Sequence, residues 1–114
     1  MRTRLMILSG VLIFICSCSD KTLYSWHKYE DVSYKYQKKG TDEFLNKSMK
    51  EYRKVIERQS GLRSVAPPGI NAEYGYLLCK SGKVSEGIEF LKREIALYPE
   101  SEVFISRVIK QLEK

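Results

Sequence analysis

The sequence predicts an all-α fold of about five helices, arranged as helical hairpins. Three observations carry this expectation. Val84, Gly87, Ile88, Leu91, Ile95 and Tyr98 recur at the 3.6-residue period of a helix that buries one stripe. Tyr74, Gly75 and Leu78 form a second stripe just upstream, and between the two lies Lys80-Ser81-Gly82-Lys83, where Gly82 can take the left-handed conformation that ends a helix. Gly75 and Gly87 each cost about 1 kcal/mol relative to Ala inside a helix. Close backbone approach between two crossing helices explains why they are there.

The elements follow in chain order. Residues 24–39 read as a first helix, with Tyr29, Val32, Ser33 and Tyr36 on one face and Gly40 ending it. Thr41 or Asp42 caps the next helix, which runs to about Gln59 on the stripe Leu45, Ser48, Met49, Tyr52, Val55 and Ile56. Gly61–Gly69 is a linker, because Pro67-Pro68 forces an extended path and Pro68-Gly69 signals a turn. After the central hairpin, Pro99 stops the fourth helix. Residues 101–114 form a last helix whose apolar face is Phe104 or Ile105, then Val108, Ile109 and Leu112.

The central hairpin resembles a tetratricopeptide (TPR) repeat. Gly75 stands for the small residue inside the first helix, Gly82 for the turn glycine, Gly87 for the opposing small residue and Pro99 for the closing proline. Glu94 departs from that pattern, which wants a small apolar residue there. A carboxylate facing the next helix is expected to find Arg107 or Lys110. Ser33, Gly40 and Ser48 repeat the grammar of Gly75, Gly82 and Gly87 with about three extra residues at the turn. The domain therefore divides into a divergent repeat (24–60), a linker (61–69), a clear repeat (70–100) and a last helix (101–114) that caps the stack, as terminal elements of repeat arrays do.

The first 17 residues read as an address and not as fold. Arg2 and Arg4 precede the apolar run Leu5–Ile15, which is shorter than the roughly 20 residues needed to span a bilayer. Ile15-Cys16-Ser17-Cys18 resembles the lipobox of bacterial lipoproteins, with small Ser17 before the cysteine that is acylated, Cys18. That resemblance implies a lipid anchor at Cys18 and, with Ser19 in place of Asp after it, the periplasmic face of the outer membrane. The inner membrane or the free periplasm is the alternative. Residues 18–23 then form a tether; its last five reach about 17 Å at most, at roughly 3.3–3.6 Å each.

Charge and chemistry narrow the function. The chain has 20 Lys+Arg and 14 Asp+Glu, and losing Arg2 and Arg4 with the leader leaves 18 against 14, or +4. The cations alternate with carboxylates along the helices, a pattern that fits a solvated surface and excludes nucleic acid as a partner. His27 is the lone histidine, without the two further ligands a metal site needs or a partner nucleophile. Glu30-Asp31 and Asp42-Glu43 diverge by about 100° around a helix, so neither pair frames a substrate. No enzyme, cofactor or metal is expected. Cys79 is read as a small hydrophobe on a helix, or else as the thiol of an intermolecular disulfide in an oxidising compartment.

Eight tyrosines exceed what the core stripes use. On the repeat resemblance, the first helices of the hairpins line a concave face that carries His27, Tyr34, Lys38, Ala72, Tyr76 and Lys80, with Cys79 beside them and Lys110 from the last helix. Its aromatics and lysines suit an extended peptide bearing an acidic group.

Taken whole, the chain resembles a family of small lipoproteins of Gram-negative bacteria, classed as a domain of unknown function. The likeness rests on Trp26 with Tyr29-Glu30-Asp31, Pro67-Pro68-Gly69 with Ala72-Glu73-Tyr74-Gly75, and Glu94 through Ser101. It implies a partner: a lipoprotein resembling the curli secretion channel, encoded nearby with a second small lipoprotein. The expected function is a non-catalytic assembly subunit of an envelope complex. The alternative is a periplasmic lipoprotein that regulates cell-wall enzymes or touches peptidoglycan.

Overall fold

A computed structural model of the chain describes residues 21–114. The expected leader (1–17) and the Cys18 acylation site lie outside them. Among the described residues the fold is all-helical: α1 (Tyr29–Lys39), α2 (Asp42–Glu57), α3 (Ile70–Lys80), α4 (Val84–Leu97) and α5 (Glu102–Leu112), with a short 3-10 turn (Pro99–Ser101) before α5. α1 and α2 form one antiparallel hairpin, α3 and α4 a second, and α5 packs on α4.

The second hairpin is built on a backbone-to-backbone crossing. A methyl group on Gly75 would stand 2.5 Å from the Gly87 carbonyl oxygen and 3.0 Å from the Leu91 nitrogen. One on Gly87 would strike the Cys79 sulfur and the Gly75 carbonyl. The close approach buries Leu78 and Leu91 completely. Gly82, at φ +90°, closes α3 as expected, and Lys83 N–H reaches back to the Leu78 carbonyl at 2.9 Å.

Aromatic rings join the hairpins. Edge-to-face and tilted contacts run from Trp26 to Tyr29 (5.5 Å between centroids), to Tyr52 (5.1 Å), to Tyr74 (6.2 Å) and to Phe90 (4.7 Å). Tyr52, Tyr74 and Phe90 sit in the core with Val55, Ile70 and Leu78. Such pairs contribute about 0.5–1.5 kcal/mol each beyond their buried area. Ser48 is buried as the small-residue pattern predicts, and its hydroxyl donates to the Val32 carbonyl across the α1–α2 contact.

Three expectations change. α1 begins at Tyr29 and not at residue 24, because Gln59 brackets Ser25 with two bonds of 2.9 Å, from Ser25 N–H to Oε1 and from Nε2 to the Ser25 carbonyl. Thr22 and Leu23, read as tether, are docked: their carbonyls accept Leu62 and Arg63 N–H at 3.0 and 3.1 Å. Gly61 permits this, since a side chain there would meet the Tyr24 backbone at 2.6 Å. Glu94 does not reach for Arg107 or Lys110. It is buried, and Gly69 N–H donates to its Oε1 at 2.6 Å. Together with the bond from Tyr98 Oη to the Ala66 carbonyl (2.7 Å), it fastens the linker to α4. Pro67 and Pro68 bring no N–H of their own, so the linker is tied down by side chains, with Tyr98 supplying a donor and Glu94 an acceptor.

The crossing gives a direct test. Gly75→Ala gains about 1 kcal/mol of helix propensity but forces a methyl group against a carbonyl that cannot turn aside, and overpacking of this kind costs about 1–3 kcal/mol. Denaturant unfolding at constant m-value is expected to show a net loss of up to about 2 kcal/mol.

Candidate functional site

The candidate site is a groove between α3 and α5. Its floor is Leu91 and Ile105, both buried, and its walls are Ala72, Tyr76, Phe104 and Val108, with Glu73 and Gln111 at the polar edges. The groove has a volume of about 300 Å³. Helical spacing makes the walls: Ala72 and Tyr76 are one turn apart on α3, and Phe104 and Val108 one turn apart on α5. Ile105 takes the core position, so Phe104 is left 68% exposed, as is Val103 beside it. A polar-faced cap would not present two such side chains.

Glu73 ties the groove to the first hairpin. Tyr29 and Tyr52 both donate their phenol protons to its Oε2, at 2.8 and 2.6 Å. Burial raises the Tyr52 phenol well above its ordinary value, and the Glu73 carboxylate raises it further. Tyr29 is raised for the same two reasons, burial first. The two phenols thereby hold the α3 wall in register with α1 and α2.

Of the residues expected on one concave face, only Ala72 and Tyr76 meet in this groove. Lys80 lies over the Tyr76 ring at 5.7 Å but lines a separate depression with Tyr36, Leu45 and Leu77. Tyr34 and Lys38 form their own exposed pair on α1, 5.8 Å apart. Lys110 is exposed on α5. His27 lies before α1 in a left-handed turn (φ 50°), with Nε2 3.0 Å from the Arg58 carbonyl, so it belongs to the linker end. Cys79 is not on the face at all. It is buried against the hairpin crossing, its thiol donates to the Val84 carbonyl (3.6 Å), and burial pushes its pKa up. That removes the intermolecular disulfide: the sulfur is shielded, and a raised thiol is a weak nucleophile.

Sequence reasoning missed Phe104, Val108 and Leu91 as groove residues. The signal was present in α5, where Phe104–Val108 and Ile105–Ile109–Leu112 are two adjacent apolar stripes and only one can face α4. Chemically the groove offers apolar area with a tyrosine and two polar edges, which suits the apolar face of a helix. Among the described residues no three His, Cys, Asp or Glu side chains gather as a metal site.

The chain belongs to the family described as Domain of unknown function (DUF4810), whose model matches residues 23–108. The match begins at Leu23, the residue docked on Arg63, and extends into α5. No curated protein and no solved structure matches the chain.

The phenol–carboxylate joint predicts a pH dependence. Above pH 10, the ordinary tyrosine value, the unfolded chain releases a proton that folded Tyr52 keeps, so stability falls as pH rises. Thermal unfolding is expected to show that fall in the parent protein and a shallower one in Tyr52→Phe. At neutral pH the variant costs about 1 kcal/mol.

Proposed function

We propose that this chain is a non-catalytic outer-membrane lipoprotein, and that its TPR-like hairpins serve as an assembly subunit of an envelope complex. The observation that carries the reading is the α3–α5 groove with Phe104 and Val103 open beside it. Helical-repeat folds dock a further helix on such a face, and contiguous exposed apolar surface marks an interaction site. The occupant is the apolar face of a helix from a partner lipoprotein. The resemblance that supplied the lipoprotein family points to the channel-like one. Phe104 would be the anchor, Tyr76 the wall that covers it, and Glu73 and Gln111 the polar edges that set register. The lipobox-like Ser17-Cys18 supports the anchor, with the domain held close to the periplasmic face. None of the described helices is long and apolar enough to cross a membrane, so on this reading the attachment is by lipid. Acylation of both thiol and amino group gives a stable hold where one chain is marginal.

The test uses the native protein in its own membranes. Mild crosslinking, fractionation and intact mass are expected to show acylated Cys18 in outer-membrane fractions, joined to other lipoproteins. Phe104→Glu is expected to lower the crosslinked yield about tenfold or more at an unchanged unfolding midpoint, whereas Tyr34→Ala leaves it intact. An unacylated, soluble, uncrosslinked chain would contradict the reading.

A further inference from the structure

The excess positive charge of this protein is gathered at one end. Two segments paired through the backbone, Lys21–Lys28 and Arg58–Gly69, hold Lys21, Lys28, Arg58 and Arg63 and contain no Asp or Glu. Setting those four aside from the 18 cations beyond the leader leaves 14 against 14 carboxylates, or 14 against 13 without Asp20, which adjoins Lys21, so the rest of the chain is close to neutral. The sequence-level picture of charges evenly interleaved is therefore corrected: it holds for the helices and fails at this end. Among the described residues the four cations enter no ion pair. The nearby carboxylates are occupied: Glu51 by Lys54 at 2.6 Å, Glu57 by Arg53 at 3.6 Å, and Glu94 by the Gly69 N–H.

Apolar side chains are interleaved with these charges. Leu62 is 60% and Leu23 55% exposed, with Trp26 and Val65 exposed beside them. Backbone pairing of Thr22 and Leu23 to Leu62 and Arg63 holds the two rows together, and the Gln59 bracket on Ser25 fixes the segment leading to Trp26. Exposed leucines on the same paired segments as Lys and Arg, with a tryptophan among them, match the composition of surfaces that settle at a membrane interface.

We propose that this end is a docking surface for an anionic lipid bilayer, seated by Leu23, Trp26 and Leu62 and held by Lys21, Arg58 and Arg63. The proposal deepens the function above and takes its orientation from the Cys18 anchor. Leu23 is docked only five residues beyond Cys18, so an acylated Cys18 keeps this end within about 17 Å of the bilayer, at roughly 3.3–3.6 Å per residue. The groove between α3 and α5 is built from other elements, which leaves it open to a protein partner. An acidic protein would satisfy the cations alone; the exposed leucines and tryptophan favour lipid.

Trp26 is the single tryptophan of the chain, so its fluorescence reads this surface alone. The full-length protein from native membranes is reconstituted into vesicles of phosphatidylglycerol with phosphatidylcholine, carrying brominated acyl chains, and compared with phosphatidylcholine vesicles. Trp26 is expected to be quenched in the anionic vesicles, and Arg58→Gln and Arg63→Gln to lower the docking constant about fivefold each. Flotation at high salt reads the anchor separately. A protein that floats with Trp26 unquenched, or equally quenched in the zwitterionic vesicles, overturns the surface and leaves the anchor. One that floats only at low salt with Trp26 quenched overturns the anchor and supports the surface. One that neither floats nor is quenched overturns both.

Discussion

The contact between Gly75 and Gly87 is the constraint on which the rest of this structure depends. It brings α3 and α4 to a separation that only main-chain atoms allow, and it fixes the rotation of α4 about its own axis. That rotation puts Phe90 against Tyr74 and Glu94 beneath the linker, while Leu91 forms the floor of the groove. Were the helices further apart, Glu94 would lose Gly69 and the linker would lose its fastening to α4.

From that crossing two sets of contacts run outward. One passes through the rings of Tyr74, Tyr52 and Tyr29 to the first hairpin, with Glu73 receiving both phenol protons. The other passes through Glu94 and Tyr98 to the linker, and through Gly61 and Arg63 to Thr22 and Leu23. On the second route Glu94 Oε1 accepts the Gly69 N–H and Tyr98 Oη donates to the Ala66 carbonyl, whereas Glu94 Oε2 is buried with no hydrogen-bond partner among the described residues. The consequence is a molecule with two distinct faces: a basic, apolar end near the start of the domain and an apolar groove made by α3 and α5.

Much of the fold was legible because it rests on local rules. Helical periodicity placed all five helices, Gly82 and Pro99 marked ends that the structure keeps, and the two helix-interior glycines announced a close crossing. The start of α1 was not legible, because Gln59, which is distant in sequence, overrides the helical tendency of residues 24–28. Glu94 was misplaced for a related reason. Its partner is a backbone N–H, and no residue type advertises that. The expected concave face was read from hairpin analogy and resolved into separate places, with only Ala72 and Tyr76 at the groove. Cys79 fell on the wrong side because Gly87 leaves room for a sulfur beneath it. Phe104 was half seen, as one of two candidates for a core position that Ile105 takes.

The two-faced arrangement is tested most directly by photo-crosslinking in living cells, with a photoreactive residue placed in turn at positions 104, 34 and 62. The account predicts adducts with an envelope protein at 104, adducts with lipid at 62, and neither at 34. Protein adducts at 34 or 62 with none at 104 would contradict it, because the partner would then occupy a surface other than the groove that the glycine crossing sets up.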